Sequence, residues 1–181
     1  MGPPVHILVA FDSRRGTVET LAERVADGAR SVPGTILSVK HVDAVLREDL
    51  IAADGLALGS PVHMGTISTP VKRFLDAWQF QFDFYPSRPM RDKVGAAFAT
   101  GGQESGGQEL TMLTMLGAFL HNEMIVISGG GPYGAGASTE TGPVPLHDRS
   151  LERATVLGRR LADVTALVVA GRAAIPPQTA V

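Results

Sequence analysis

The chain has 181 residues, 44% hydrophobic and 19% charged, with a formal net charge of −2. That length and composition supply one full hydrophobic core and exclude a disordered chain, while the near-neutral balance argues against duplex nucleic acid as a partner. There are no cysteines, so disulfides, thiol redox chemistry and Cys-ligated zinc are excluded, and any redox chemistry requires an added cofactor.

The apolar run Val5, Ile7, Leu8, Val9, Ala10, Phe11 predicts a first strand, which enters the polar turn Asp12-Ser13-Arg14-Arg15-Gly16-Thr17. Leu21, Ala22, Val25, Ala26 and Ala29 then fall at helical spacing, predicting a helix from Thr17 to about Ser31 that Pro33-Gly34 stops. Strand, tight turn and helix N-terminus in that order make an anion site. The first helical N–H groups lack intrahelical partners, and the helix dipole adds partial positive charge there. An ordinary joint, with Ser13 or Thr17 as N-cap, reads equally well from this segment alone.

Thr35–Val39 predicts a second strand, and Asp43–Leu50 a turn or two of helix. The run Gly55–Pro61 repeats the opening design, with an apolar stretch entering a small-residue turn. Val71, Phe74, Leu75 and Trp78 then recur at helical spacing. Aromatics crowd Trp78–Met90, and Pro86 and Pro89 keep it from continuing as helix. Lys93–Thr100 predicts a further strand, ending in Gly101-Gly102-Gln103-Glu104-Ser105-Gly106-Gly107. A helix from about Gln108 to His121 follows, with Leu110, Leu113, Leu116 and Leu120 as its expected buried positions. Met124–Ser128 predicts a last strand, Gly129–Pro145 a long loop, and Ser150–Val169 a closing helix.

Short strands, apolar enough to be buried on both faces and alternating with helices, predict an α/β fold with a doubly wound, five-stranded parallel sheet. No internal repeat or composition shift divides the chain, so residues 1–170 are expected to form one domain and 171–181 a flexible tail. The four residues Met1-Gly2-Pro3-Pro4 do not make a signal peptide, and no apolar run reaches membrane-spanning length. A soluble, cytoplasmic protein without membrane insertion is the expectation. The five histidines, His6, His41, His63, His121 and His147, show no metal-ligand spacing.

Sheets of this kind bind ligands outside the carboxyl ends of their strands. Three loops rich in small polar residues end successive strands here: Ser13–Val18, Ser60–Thr66 and Thr100–Gly107. Together they suit one extended ligand, with phosphate at the first loop and a flat ring at the other two.

The runs FDSRRGTVETLAERVADGA, ADGLALGSPVHMGT, KVGAAFATGGQESGGQE, FLHNEMIVISG and PYGAGAST, spanning roughly residues 5–165, resemble the flavodoxin-superfamily NAD(P)H:quinone oxidoreductases of the WrbA type. The resemblance implies a flavodoxin-like strand order, 2-1-3-4-5, and FMN held without a covalent bond. It further implies two-electron reduction by NADH or NADPH, transfer to a quinone or similar small acceptor, and a homodimer or homotetramer. By the family pattern Ser13, Arg14, Arg15, Gly16, Thr17 and Val18 surround the FMN phosphate. Pro61, Val62, His63, Met64 and Gly65 lie along the ring, and Thr100, Gly101, Gly102, Gln103, Glu104 and Ser105 reach the ribityl chain and the ring's other side.

Two positions depart from that pattern. Where the family commonly has Thr-Arg-aromatic after the proline, this chain has Val62-His63-Met64, and the second of the family's paired histidines becomes Asn122, which lies by that match near the cofactor. His63 retains hydrogen-bonding capacity and is the one side chain here with an expected catalytic part. Trp78, Tyr85 and Tyr133 are the aromatic residues placed for a substrate pocket, set against plain packing. A one-electron flavodoxin-type carrier, or a flavin-binding protein without turnover, would carry much the same loops.

Overall fold

The computed structural model describes residues 3–139 and 146–175. Its elements run β1 (Val5–Phe11), α1 (Thr17–Arg30), β2 (Thr35–His41), α2 (Arg47–Ala52), β3 (Gly55–Pro61), α3 (Thr69–Phe80), β4 (Val94–Gly101), α4 (Gln108–His121), β5 (Ile125–Val126), β6 (Ala135–Ser138) and α5 (Asp148–Ala174). A single 3-10 turn, Val42–Ala44, joins β2 to α2. All strand pairs are parallel, in the order β2-β1-β3-β4-β5, and β6 also pairs with β4.

The fifth sheet position is therefore shared. β5 pairs with Val94 and Gly95, whereas β6 pairs with Phe98 to Gly101. The predicted strand Met124–Ser128 is cut short, and part of the predicted 129–145 loop re-enters the sheet beside the upper half of β4. Residues 140–145 of that loop lie outside the described residues. α5 continues to Ala174, five residues past its expected end.

Period-two alternation distributes the core over both sheet faces. Leu8, Ala10, Leu56, Leu58, Ala97 and Ala99 point to one side, where α3 and α4 cover them with Phe74, Trp78, Met112, Met115 and Phe119. Ile7, Val9, Ala57, Ala96 and Phe98 point to the other, under Leu21 and Val25 of α1 and Leu157 and Leu161 of α5. Burying each large side chain contributes roughly 1.5–3 kcal/mol, which fixes both layers to the sheet.

The face of α4 differs from expectation. Leu116 is buried, but Leu110, Leu113 and Leu120 face solvent, and Met112, Met115 and Phe119 take the core positions. The helix is apolar nearly all round, so spacing alone could not select the inward face.

One ion pair fixes the edge of the sheet. Lys40 on β2 donates through Nζ to both carboxylate oxygens of Asp49, at 2.7 Å each, and the Leu46 amide donates to the same group at 2.8 Å. Burial alone would raise the Asp49 pKa, but the Lys40 and Leu46 hydrogen bonds and the Lys40 charge outweigh it and hold the carboxyl below its ordinary range. A carboxylate with a lowered folded pKa stabilises the fold above its unfolded pKa, and that contribution disappears as pH falls through the folded value. Asp49→Asn is expected to cost about 1 kcal/mol at pH 7 and to flatten the stability loss below about pH 4, read by urea denaturation across pH.

Candidate functional site

The carboxyl ends of β1, β3 and β4 lie side by side, so the three loops meet over one edge of the sheet. Between them is a cleft of about 240 Å³, lined by Arg14, Arg15, Thr17, Pro61, Val62, His63, Thr100, Gly101, Gly102 and Thr139.

At the first loop, α1 begins without a side-chain cap. Its N-cap is Gly16, at φ 81°, a residue with no side chain to accept from the first helical amides. Ser13 Oγ instead accepts from the Glu19 amide at 3.3 Å. Among the described residues the Thr17 and Val18 amides have no acceptor, and neither the Arg14 nor the Arg15 guanidinium has an ion-pair partner. Uncapped amides and two adjacent unpaired cations are the donor set a phosphate needs. Thr17 Oγ1 lies 3.3 Å from Thr100 Oγ1, joining this loop to the third in a buried contact. Val18 is 1% exposed with its side chain in the core, so only its amide faces the loop.

The second loop is a closed hairpin. The wholly buried Ser60 hydroxyl accepts from the Ser68 amide at 3.0 Å and donates to Pro61 O at 2.8 Å, pinning the base. His63 and Thr66 exchange both backbone hydrogen bonds, at 2.9 and 3.1 Å. Met64 and Gly65 between them have φ 50° and 81°, the two-residue turn with both central residues left-handed. Holding a methionine there costs on the order of 1–2 kcal/mol, and its side chain is fully exposed at the tip.

The third loop is stapled from below. The Gln108 side chain, 8% exposed, donates from Nε2 to Gln103 O at 2.6 Å and to Ala137 O at 3.4 Å. The Val62 amide donates to Thr100 O at 2.7 Å, and a Cβ on Gly107 would come 3.2 Å from Gly65 Cα. The second and third loops thus touch backbone to backbone, a close approach that needs glycine at 107, where φ is 108°.

Other expected residues lie elsewhere. Asn122 caps the C-terminal end of α4 and donates from Nδ2 to Ala118 O at 2.9 Å. It lines a groove of about 260 Å³ between α3 and α4 together with Trp78 and Tyr85. That groove runs along the flank of the sheet, and none of these three residues borders the loop cleft. Trp78 is a core residue, 1% exposed and stacked on Phe119 at 6.1 Å. Tyr85 is exposed, and Tyr133 sits on the loop before β6 with its side chain 37% exposed. Glu104 and Ser105 border a second, larger cavity of about 560 Å³ on the far side of the third loop. The smaller cleft is the candidate site, because it alone joins all three loops.

Two features escaped the sequence. Thr139 lines the cleft and donates from its amide to Gly101 O at 2.9 Å, a partner created by the re-entry of β6. Asp12, 6% exposed and just before the first loop, accepts from His41 Nε2 at 3.1 Å, while His41 Nδ1 accepts from the Asp43 amide. His41 thus keeps a buried carboxylate paired beside an anion site. It ends β2, next to β1 in the sheet, and no spacing in the sequence signals that neighbour. Among the described residues no group of histidines and carboxylates could hold a metal ion, and no helix is long and apolar enough to cross a membrane.

Known proteins share this fold and sequence family. A family model described as NADPH-dependent FMN reductase matches residues 39–137. A flavodoxin of Aquifex aeolicus is 36% identical over 170 residues, covering 92% of this chain and 90% of its own. An NAD(P)H dehydrogenase (quinone) of Paracoccus denitrificans is 29% identical, covering 92% and 96%. Among solved structures, the flavodoxin, WrbA-like protein from Agrobacterium tumefaciens superposes with a TM-score of 0.77 at 25% identity, covering 90% of this chain and 98% of that one. The chain belongs to the NADPH-dependent FMN reductase family of flavodoxin-like flavoprotein oxidoreductases.

Proposed function

We propose that the chain binds FMN in the three-loop cleft and passes two electrons from NADPH or NADH to a quinone or similar small acceptor. The observation that carries this is the cleft itself, with unpaired Arg14 and Arg15 at its phosphate end and a rigid seam between the loops at its ring end. The residues fit the cofactor: the Thr17 and Val18 amides, the hydroxyls of Ser13 and Thr17, and the two guanidinium groups suit a phosphate dianion. Thr100, Gly101 and Gly102 line the middle of the cleft, where hydroxyls of a ribityl chain need partners. The turn Gly101-Gly102-Gln103 presents backbone N–H groups with few intervening side chains, suited to a ring edge that gathers negative charge.

Bound FMN would supply the hydride chemistry that no protein side chain provides. The protein's own part is to position and to exclude water. The hairpin 61–66, pinned at its base by Ser60, would wall one side of a bound ring, and His63, which lines the cleft, would be the imidazole available to hydrogen-bond an acceptor oxygen. Titrating the apo-protein with FMN and then supplying NADPH or NADH with benzoquinone tests the proposal. Saturable flavin binding followed by nucleotide oxidation supports it; no flavin binding, or no turnover with either nucleotide, overturns it. The flavodoxin name of the Aquifex relative favours a second reading, a one-electron carrier. Two well-separated one-electron waves in a redox titration would support the carrier.

The exposed side of α4 fits a second copy of the chain. Leu110, Leu113 and Leu120 are 58%, 42% and 59% exposed on a helix whose other face is core, and Gly117 between them leaves open space for close approach. A helix apolar on both sides is ordinarily covered on both. Wild-type protein is expected to sediment as a dimer or tetramer at micromolar concentration, and Leu113→Glu with Leu120→Glu to shift it towards monomer. A monomeric wild type would remove the assembly.

A further inference from the structure

The end of β1 carries a charge that works against the phosphate site. Asp12 is 6% exposed and is joined directly to Ser13, the first residue of the phosphate loop. Its amide donates to Gly59 O at 3.1 Å, two residues before Pro61 enters the cleft. A carboxylate fixed one residue, about 3.8 Å of chain, from the loop repels a phosphate dianion, and burial weakens the screening by water.

His41 answers that charge. Its Nε2 lies 3.1 Å from Asp12 Oδ1 and is the carboxylate's one hydrogen-bond partner among the described residues. Phe11 and His41 are opposite one another in the pairing of β1 with β2, so the imidazole reaches the residue just beyond its strand partner. The Phe11 ring stands edge-on to the imidazole, at 5.9 Å and 82°.

The tautomer follows from the partners. The Asp43 amide can only donate, so Nδ1, 3.3 Å away, accepts from it, and the proton of the neutral ring sits on Nε2 facing Asp12. The neutral ring therefore bonds the carboxylate without cancelling its charge. A second proton enters at Nδ1, where Asp43 Oδ2 lies 3.7 Å away. Asp12 and Asp43 are the carboxylates within 4 Å of the ring nitrogens among the described residues. Arg73 of α3 holds Asp43 at 3.3 Å, Lys40 beside His41 is committed to Asp49, and Arg14 and Arg15 are the cations of the loop itself.

We infer that His41 is a positioning residue for the phosphate: it takes up a proton as FMN binds and so cancels the Asp12 charge beneath the loop. Imidazole is the side chain whose charge changes near neutral pH. Its protonation takes the Asp12 and His41 pair from one negative charge to none, which favours an incoming dianion. By linkage, the bound dianion favours that protonation equally. The inference rests on the FMN reading above.

FMN and riboflavin are titrated into apo-protein from pH 6 to pH 8.5, following the quenching of flavin fluorescence. The phosphate's own second ionisation, near pH 6, is common to every variant, so the ratio between variants isolates the pair. His41→Gln is expected to bind FMN about 10-fold more weakly than the wild type at pH 6 and nearly as tightly at pH 8.5. Asp12→Asn should bind FMN about 10-fold more tightly than the wild type at pH 8.5. In the Asp12→Asn background, His41→Gln should change FMN affinity by less than about 2-fold at either pH, because its effect passes through the carboxylate. Riboflavin, which has no phosphate, should bind all four proteins alike. Calorimetry at pH 7.5 in buffers of different ionisation heat should show more proton uptake on FMN binding by the wild type than by His41→Gln.

A ratio of wild type to His41→Gln that stays constant with pH would make His41 a structural prop and overturn the inference, as would an equal loss of riboflavin affinity. If His41→Gln does not fold, Asp12→Asn and the wild-type proton uptake decide: no gain in affinity, or no uptake, overturns it. Failure of the wild type to bind FMN at any pH would instead strike the FMN reading itself.

Discussion

Replacing Arg14 and Arg15 together with alanine is expected to weaken FMN binding about 100-fold. Each guanidinium that pairs with a phosphate oxygen contributes roughly 1.5–3 kcal/mol when it forms a charge-assisted hydrogen bond. Both side chains are exposed at the mouth of the cleft, so solvent and salt screen them and the pair is worth nearer the cost of one buried contact. Two observations raise that cost above that of a routine surface pair. The guanidinium groups have no other partner among the described residues, so their attraction is not already spent within the protein. They also flank the uncapped end of α1, where amides and dipole act on the same anion. Quenching of flavin fluorescence on titration measures the effect. The gap between wild type and variant should shrink in 1 M salt, where the screening length falls to about 3 Å. An affinity that does not change would assign the phosphate to the Thr17 and Val18 amides and the nearby hydroxyls alone.

The parts of this site that were legible in the sequence are the ones local chemistry sets. An apolar run, a turn of small polar residues and an amphipathic helix announce themselves at loops 13–18, 60–66 and 100–107. Their meeting over one edge follows from parallel pairing of β1, β3 and β4. What stayed hidden depends on neighbours far along the chain. The inward face of α4 is not set by spacing, because Leu110, Leu113 and Leu120 compete with Met112, Met115 and Phe119, and only the sheet beneath chooses between them. Family likeness points Asn122 to the cofactor, and aromatic character leaves Trp78 open between a substrate pocket and plain packing. The direction of α3 and α4, both running away from the loop edge, carries these residues down the flank of the sheet. Thr139 and His41 enter the story through strand pairing, of β6 with β4 and β2 with β1, which no local pattern encodes.

Gly158→Val is expected to cost about 3 kcal/mol or more of folding stability, for a reason that lies wholly in the contact of α1 with α5. The two helices meet through glycines on both sides. A Cβ on Gly158 would fall 1.8 Å from Val25 O, and one on Gly28 would fall 2.0 Å from Thr155 O and 2.8 Å from Arg159 N. Nothing flexible stands there to move aside, since the obstructing atoms are backbone. The helices must separate, and Leu21, Val25, Leu157 and Leu161 then lose part of their mutual packing. α1 also carries the first loop at its N-terminus, so displacing the helix shifts the Thr17 and Val18 amides away from Thr100 and the cleft. The variant should therefore lose stability and FMN affinity together, and saturating FMN should restore part of the lost urea midpoint, about 2.7 kcal/mol at a hundredfold excess over Kd. The Arg14 and Arg15 double variant should lose affinity while leaving the apo-protein's midpoint in place. An unchanged midpoint in Gly158→Val would mean that the helices slide without loss, and the glycine seam would then have no part in holding the phosphate loop.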